Sequence, residues 1–170
     1  ITGHLTVVRN ICGAVSVPVI ADTDTGYGNA INIMRTVREF ENAGVSGMIF
    51  EDQLSPKKCA ACANRIELLG VEEAVGKIRA AVEARQNPDT IIIARTDEVD
   101  EDAAIARAKL YVEAGADLIQ PISRCFKDIG GLRRLREACG VPLSLQILGW
   151  LESDLCAEGV KGVVGVGCCS

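Results

Sequence analysis

Three short stretches of this chain set charged side chains at the ends of apolar runs, and a fourth adds a cysteine beside lysines. The first is ADTDTGYGN at 21–29. In an extended backbone, residues two apart point the same way, so Asp22 and Asp24 present their carboxylates together. Two carboxylates this close repel unless a cation or a proton joins them. Oxygen donors without histidine or thiolate nearby suit Mg²⁺ or Mn²⁺, with water filling several positions. Gly26 and Gly28 permit a tight loop beside a ligand. The same aspartates would also serve to begin a turn and cap a helix near Asn29, and spacing alone does not separate the two readings.

FEDQ at 50–53 ends a second apolar run. Glu51 continues the run and is the better metal-shell candidate, whereas Asp52 turns outward; an ordinary loop acid is the plainer alternative. ARTDE at 94–98 ends a third. Arg95 would be a poor choice for a dry core, but at a strand end it can grip a carboxylate through two parallel hydrogen bonds. An ion pair with Asp97 or another nearby carboxylate would explain it equally well. In SPKKCAACANR at 55–65, Cys59 follows Lys57 and Lys58, whose positive field favours the thiolate and suits acid/base work. Cys59 and Cys62 also form a C-x-x-C, but only Cys168-Cys169 offers a second pair for zinc, and the 53–58 loop argues against a redox helix.

These stretches need a scaffold that brings strand ends together. Short β-branched runs at 17–22, 47–52, 90–95, 117–122, 141–147 and 161–166 read as strands covered on both faces. Helical apolar spacing fills 29–43, 71–85, 102–114, 128–139 and 152–158, with glycine or Asn87-Pro88 as stops. A loose repeat of helix end, glycine and strand recurs in ENAGVSGMIF, VEAGADLIQP, REACGVPLSL and CAEGVKGVVG. The alternation predicts a single α/β domain over 1–170 with a parallel sheet. Acids and arginine at the ends of three successive strands favour a (β/α)₈ barrel over an open sheet, which gathers its ligands at one switch point. About six of the eight strands are accounted for, so the barrel is expected to be incomplete.

Bulk properties narrow the function classes. The 170 residues are 48% hydrophobic and 24% charged, which fits a globular chain rather than a disordered one. No run approaches a bilayer span, and ITGHLTVVRN lacks a signal-peptide plan. The net charge of −5 is interspersed, which argues against nucleic acid and membrane partners. The eight irregularly spaced cysteines read as mostly reduced thiols of a cytoplasmic protein. The lone His4 is assigned no role. Ile1 in place of an initiator Met suggests that the native start lies elsewhere.

Taken in order, VPVIADTDTGYGN, FEDQ…PKKC and IIIARTDE resemble the isocitrate lyase and phosphoenolpyruvate mutase superfamily, with the likeness running from about residue 5 to 166. The resemblance implies a Mg²⁺-dependent carbon–carbon lyase acting on a small 2-hydroxy or 2-oxo di- or tricarboxylate. It implies metal held by Asp22, Asp24 and Glu51, a substrate carboxylate held by Arg95, and Cys59 as the acid/base. Gly26, Tyr27, Gly28 and Gln146 join Arg95 as substrate contacts in this reading, and the assembly is expected to be a homo-oligomer. The family's first two strands would precede Ile1, and its C-terminal helices would follow Ser170. There are departures. Ala60 and Ala61 follow Cys59 where lyases carry Gly-His, Ile122 replaces a glutamate after Pro121, and Gln146 stands for an asparagine. They leave open a decarboxylase or mutase-like enzyme, and the strands unaccounted for leave open an inactive truncated barrel.

Overall fold

The computed structural model describes residues 1–57 and 66–146. Along them run α1 (Thr2–Ala14), β1 (Ile20–Asp22), α2 (Ala30–Ala43), β2 (Gly47–Glu51) and α3 (Val71–Ala84). Then follow β3 (Ile91–Thr96), α4 (Glu101–Glu113), β4 (Leu118–Pro121) and α5 (Ile129–Cys139). All four strands are parallel and pair in chain order, β1-β2-β3-β4. The helices also pack in sequence, α1 on α2, α2 on α3, and on to α5. Unbroken order in both layers describes a stretch of barrel wall, because a doubly wound sheet would reverse its order at the centre.

The two sides of the sheet differ as this predicts. Ala21, Met48, Phe50, Ile92, Ala94 and Ile119 alternate onto the helical side and are buried there. The other side carries Ile20, Ile49, Ile91 and Leu118, which are only partly buried or exposed, with Ile20 41% exposed; Ile93, 1% exposed, is the buried isoleucine on this side. Register stacks this side in rungs: Asp22 beside Ile49, Ile93 and Leu118, and above them Glu51 beside Arg95 and Gln120. Polar residues therefore begin where the strands end.

Several expectations change. Residues 2–14 form a helix that sequence pattern did not reveal. Only Leu5 and Val8 are buried on it, while Val7, Ile11 and Val15 face outward and blur the apolar stripe. The first strand begins at Ile20 rather than 17, and in place of a continuous strand from 141 there are isolated bridge residues, Leu143, paired with Ile119, and Gln146. The expected strand at 161–166 and helix at 152–158 lie outside the described residues. No helix among those described is long and apolar enough to cross a membrane.

Cys12, Cys125 and Cys139 are free thiols. Burial pushes Cys125 to about 12 and Cys139 to about 11. At pH 8 both stay protonated, so iodoacetamide should leave them unmodified in the native protein and label them in urea, as read by peptide mass mapping.

Candidate active site

The site is built on the β1–α2 loop. Asp22 Oδ1 accepts from the Asp24 amide at 2.9 Å, and Asp24 Oδ1 accepts from Thr25 N at 2.7 Å. Asn29, not either aspartate, caps α2: its side chain accepts from Ile31 N and Asn32 N, and Asn32 returns the bond. The capping alternative is thus settled in favour of Asn29, and Asp24 Oδ2 is left facing outward from the turn. The loop is backbone-strained: Asp24 and Tyr27 have φ of 58° and 60°, a region side chains seldom adopt. Gly26, at φ 85°, lies against Ile33, where any Cβ would overlap the isoleucine side chain. The strand next door holds the loop, since Glu51 N donates to Asp24 O at 3.0 Å and Thr23 N to Ile49 O at 3.0 Å.

Those contacts bring the acids of β1 and β2 together around a positive charge. Lys57 Nζ lies 3.2 Å from Asp24 Oδ2 and 2.9 Å from Glu51 Oε1. Arg95 Nη1 lies 3.3 Å from Glu51 Oε2. Glu51 is nearly inaccessible, and its oxygens meet ion pairs but no well-aligned hydrogen bond. Burial drives its carboxyl above the usual 4.5 against the pull of Lys57 and Arg95. Burial also works against the Lys57 ammonium, yet Glu51 and Asp24 outweigh it and keep its pKa above 10.5.

Arg95 makes the ion pairs that its position allowed. Its Nε and Nη2 fork onto Asp97 at 2.7 and 3.1 Å, while Nη1 faces Glu51. One N–H on each Nη is left for a ligand oxygen. Gln53 Nε2 supports Asp97 from the other side at 2.5 Å. Asp52 points to the helical layer instead. There it accepts from Thr96 Oγ1, Asp97 N and Tyr111 OH at 2.7–2.9 Å, with Arg107 at 3.4 Å. It ties β2, β3 and α4 together and plays no part in the acidic pair.

Asp22, Asp24, Glu51 and Arg95 therefore share one end of the sheet, with Asp22 one rung below Glu51. Gly26 and Gly28 bend the backbone there, whereas the Tyr27 ring turns away toward α1 and α2. Its hydroxyl is 2.6 Å from His4 Nδ1, and its ring stacks on Phe40. His4, assigned nothing from sequence, thus has a defined partner. Gln146 is half-buried, two residues beyond Ser144, which accepts from Gln120 Nε2 at 3.1 Å. Cys59 lies outside the described residues, as does Cys62.

Sequence reasoning also passed over Lys57 as a site residue and missed Lys77. Glu51, Asp52, Lys77, Arg95 and Tyr111 border a cavity of about 10 Å³, room for one water. Lys77 on α3 is 6% exposed and, among the described residues, makes no hydrogen bond or close ion pair. Burial lowers its pKa, with Glu73 and Asp24 opposing. The only signal was an amphipathic lysine on the buried side of a helix. Lys77→Met should raise stability at pH 7 by about 1 kcal/mol or more, because an ill-paired buried charge is removed. The gain is full below the depressed folded pKa and shrinks as pH climbs from there toward 10.5, which urea titrations at two pH values would show.

The residues suit a divalent cation in kind: hard carboxylates from adjacent strand ends, one of them buried with charge-only partners. Among the described residues no three Asp, Glu, His or Cys side chains stand ready-made around a metal, and the cation between Asp24 and Glu51 is the Lys57 ammonium. A roomier cavity of about 520 Å³ borders Asp97, Glu98, Arg107 and Arg124, but its lining includes none of Asp22, Asp24, Glu51 and Arg95.

Comparison with known proteins gives a consistent result. The family described as phosphoenolpyruvate phosphomutase matches residues 1–166. A 2,3-dimethylmalate lyase of Eubacterium barkeri is 55% identical over 112 residues, 64% of this chain and 38% of that protein. An oxaloacetate decarboxylase of Pseudomonas aeruginosa is 47% identical over 153 residues, 86% of this chain and 52% of the relative. A solved phosphonopyruvate hydrolase in complex with oxalate and Mg²⁺ superposes with a TM-score of 0.82 at 35% identity, over 98% of this chain and 58% of that one. The chain spans about half or less of the length of the curated relatives it matches.

Proposed function

Since the chain belongs to the phosphoenolpyruvate phosphomutase family, we propose that it forms the metal-binding wall of a Mg²⁺-dependent enzyme that breaks a carbon–carbon bond in a small 2-hydroxy or 2-oxo carboxylate. The observation that carries this reading is the convergence of Asp24, Glu51 and Arg95 at one strand end, with the Lys57 ammonium bridging the two acids.

Asp22, Asp24 and Glu51 are the residues that would hold Mg²⁺, or Mn²⁺ in its place. When bound, the ion would supply positive charge to an oxygen of the 2-oxo acid portion. The chain's own side chains account for the remainder. Arg95, fixed by Asp97 and Gln53, offers its free N–H groups to a substrate carboxylate at low entropic cost. The turn at Gly26, Tyr27 and Gly28 lets backbone approach the ligand, and Gln146 is the further contact. In bond cleavage the departing carbon keeps the electron pair and takes a proton, and the substrate hydroxyl gives one up as it becomes the oxo group. Cys59 is the proposed proton donor to that carbon.

A second reading has its own support. Ile122, buried after Pro121, removes a carboxylate that the lyase likeness leads one to expect, and the decarboxylase relative covers 86% of this chain. Assays with 2,3-dimethylmalate, 2-methylisocitrate and oxaloacetate, each with and without Mg²⁺, distinguish the readings. Cleavage that falls at least about a hundredfold in Cys59→Ser supports the lyase. Decarboxylation of oxaloacetate that survives the substitution supports the alternative. No metal-dependent turnover of any of the three would reject both, leaving a barrel wall without catalysis. The expected homo-oligomer and cytoplasmic location belong to the same reading, and sedimentation would test the first.

A further inference from the structure

The β1–α2 loop holds two side-chain-bearing residues at positive φ, Asp24 and Tyr27, around Gly26. Such a segment keeps its shape only when its surroundings over-determine it. On the strand side it is held by the bond from Glu51 N to Asp24 O. On the other side the anchor is the Tyr27 side chain. Its hydroxyl lies 2.6 Å from His4 Nδ1, and its ring stacks on Phe40 with centroids 6.4 Å apart and planes 16° apart. His4 meets the same Phe40 edge-on at 5.3 Å, so the three rings form one cluster joining α1, the loop and α2. Burial, with Asp24 and Asp22 nearby, raises the phenol's pKa, so it keeps its proton and can donate it to a neutral imidazole.

We propose that His4 is a positioning residue for the acidic loop: through Tyr27 it pins the turn at 24–28 in the shape that sets Asp24 beside Glu51. Among the described residues His4 makes no hydrogen bond or ion pair to the acidic side chains and acts only through its partner. The pin concerns this chain's own geometry, and its expected effect on Mg²⁺ rests on the function proposed above.

His4 is the only histidine in the chain, so its imidazole resonances are unambiguous. Tyr27→Phe should shift them. Both His4→Leu and Tyr27→Phe should speed exchange of the Gly26 backbone amide, which donates to Thr23 O at 3.0 Å, by about three- to tenfold, the worth of one hydrogen bond. Calorimetry should show Mg²⁺ affinity falling by a similar factor, about three- to tenfold, in each variant, and no further in the double variant. His4→Asn should restore most of it, since an amide oxygen can accept the phenolic proton where a leucine cannot; a merely space-filling role would rank leucine at least equal. Unchanged exchange in His4→Leu, or fully additive losses, would overturn the pin. If the wild type takes up no Mg²⁺, the metal reading fails by itself, and the exchange rates and the His4 resonances still decide whether the pin exists.

Discussion

Glu51→Gln is expected to abolish both metal-dependent turnover and the thermal stabilisation that Mg²⁺ confers, while leaving the metal-free fold in place. A ligand that binds only the folded state stabilises it by about 2.7 kcal/mol at roughly a hundredfold excess over Kd. That increment should vanish when the buried carboxylate becomes a neutral amide, because even supporting partners of a metal site cost about ten- to a hundredfold in affinity when lost. The metal-free protein should behave differently. Burial raises the Glu51 pKa despite Lys57 and Arg95, so the ionised side chain is a net cost to folding above that pKa. Arg95 retains its fork on Asp97, and Lys57 retains Asp24 and is 37% exposed. The variant should therefore unfold at the same urea concentration as the wild type or a higher one. Melting curves with and without Mg²⁺ read both parts, and an undiminished Mg²⁺-induced rise would remove Glu51 from the metal site.

Arg95→Met should do the reverse and destabilise the fold severely. It strips the guanidinium from two buried carboxylates, side chains 0% exposed at Asp97 and 1% at Glu51, leaving Asp97 with the neutral Gln53 and Glu51 with Lys57. Stripping one partner from a buried ion pair costs about 3–5 kcal/mol. Against a total of about 5–15 kcal/mol, that makes a marginal protein. Arg95→Lys keeps the charge but cannot reproduce the two-pronged contact with Asp97, and should cost about 1.5–3 kcal/mol. Its fold should survive, while KM for the carboxylate substrate rises. Urea midpoints order the three proteins, and equal midpoints for wild type and Arg95→Met would mean that this cluster contributes nothing to stability. High salt should narrow the differences little, since buried pairs are poorly screened.

Both predictions concern residues whose placement was legible in the chain before any coordinates. Apolar runs ending at Asp22, Glu51 and Arg95 identified parallel strands, and the ion pair of Arg95 with Asp97 was among the expected readings. The strand period did not hold for Asp22 and Asp24, because β1 ends at Asp22 and Asp24 stands in a turn at φ 58°. The helices over 30–43, 71–84 and 101–113 were visible for the same reason, a local repeat that a local window can detect. Where a helix carried few buried positions, as α1 does with Leu5 and Val8, the repeat was too faint.

Contacts between distant segments were beyond that kind of reading. Lys57 between Asp24 and Glu51, His4 on Tyr27 across 23 residues, and Asp52 gathering Thr96, Arg107 and Tyr111 each depend on how strands and helices meet in space. Periodicity states the side of its own element on which a side chain stands, but not which other element waits there. The composition and spacing of the chain determined a parallel α/β wall with acids and an arginine at its strand ends. Tertiary packing alone decided that Glu51 is buried against two cations, that Asp52 belongs to the helical layer, and that Lys77 is enclosed with no close partner among the described residues, because desolvation and pairing are properties of the surroundings rather than of the residue.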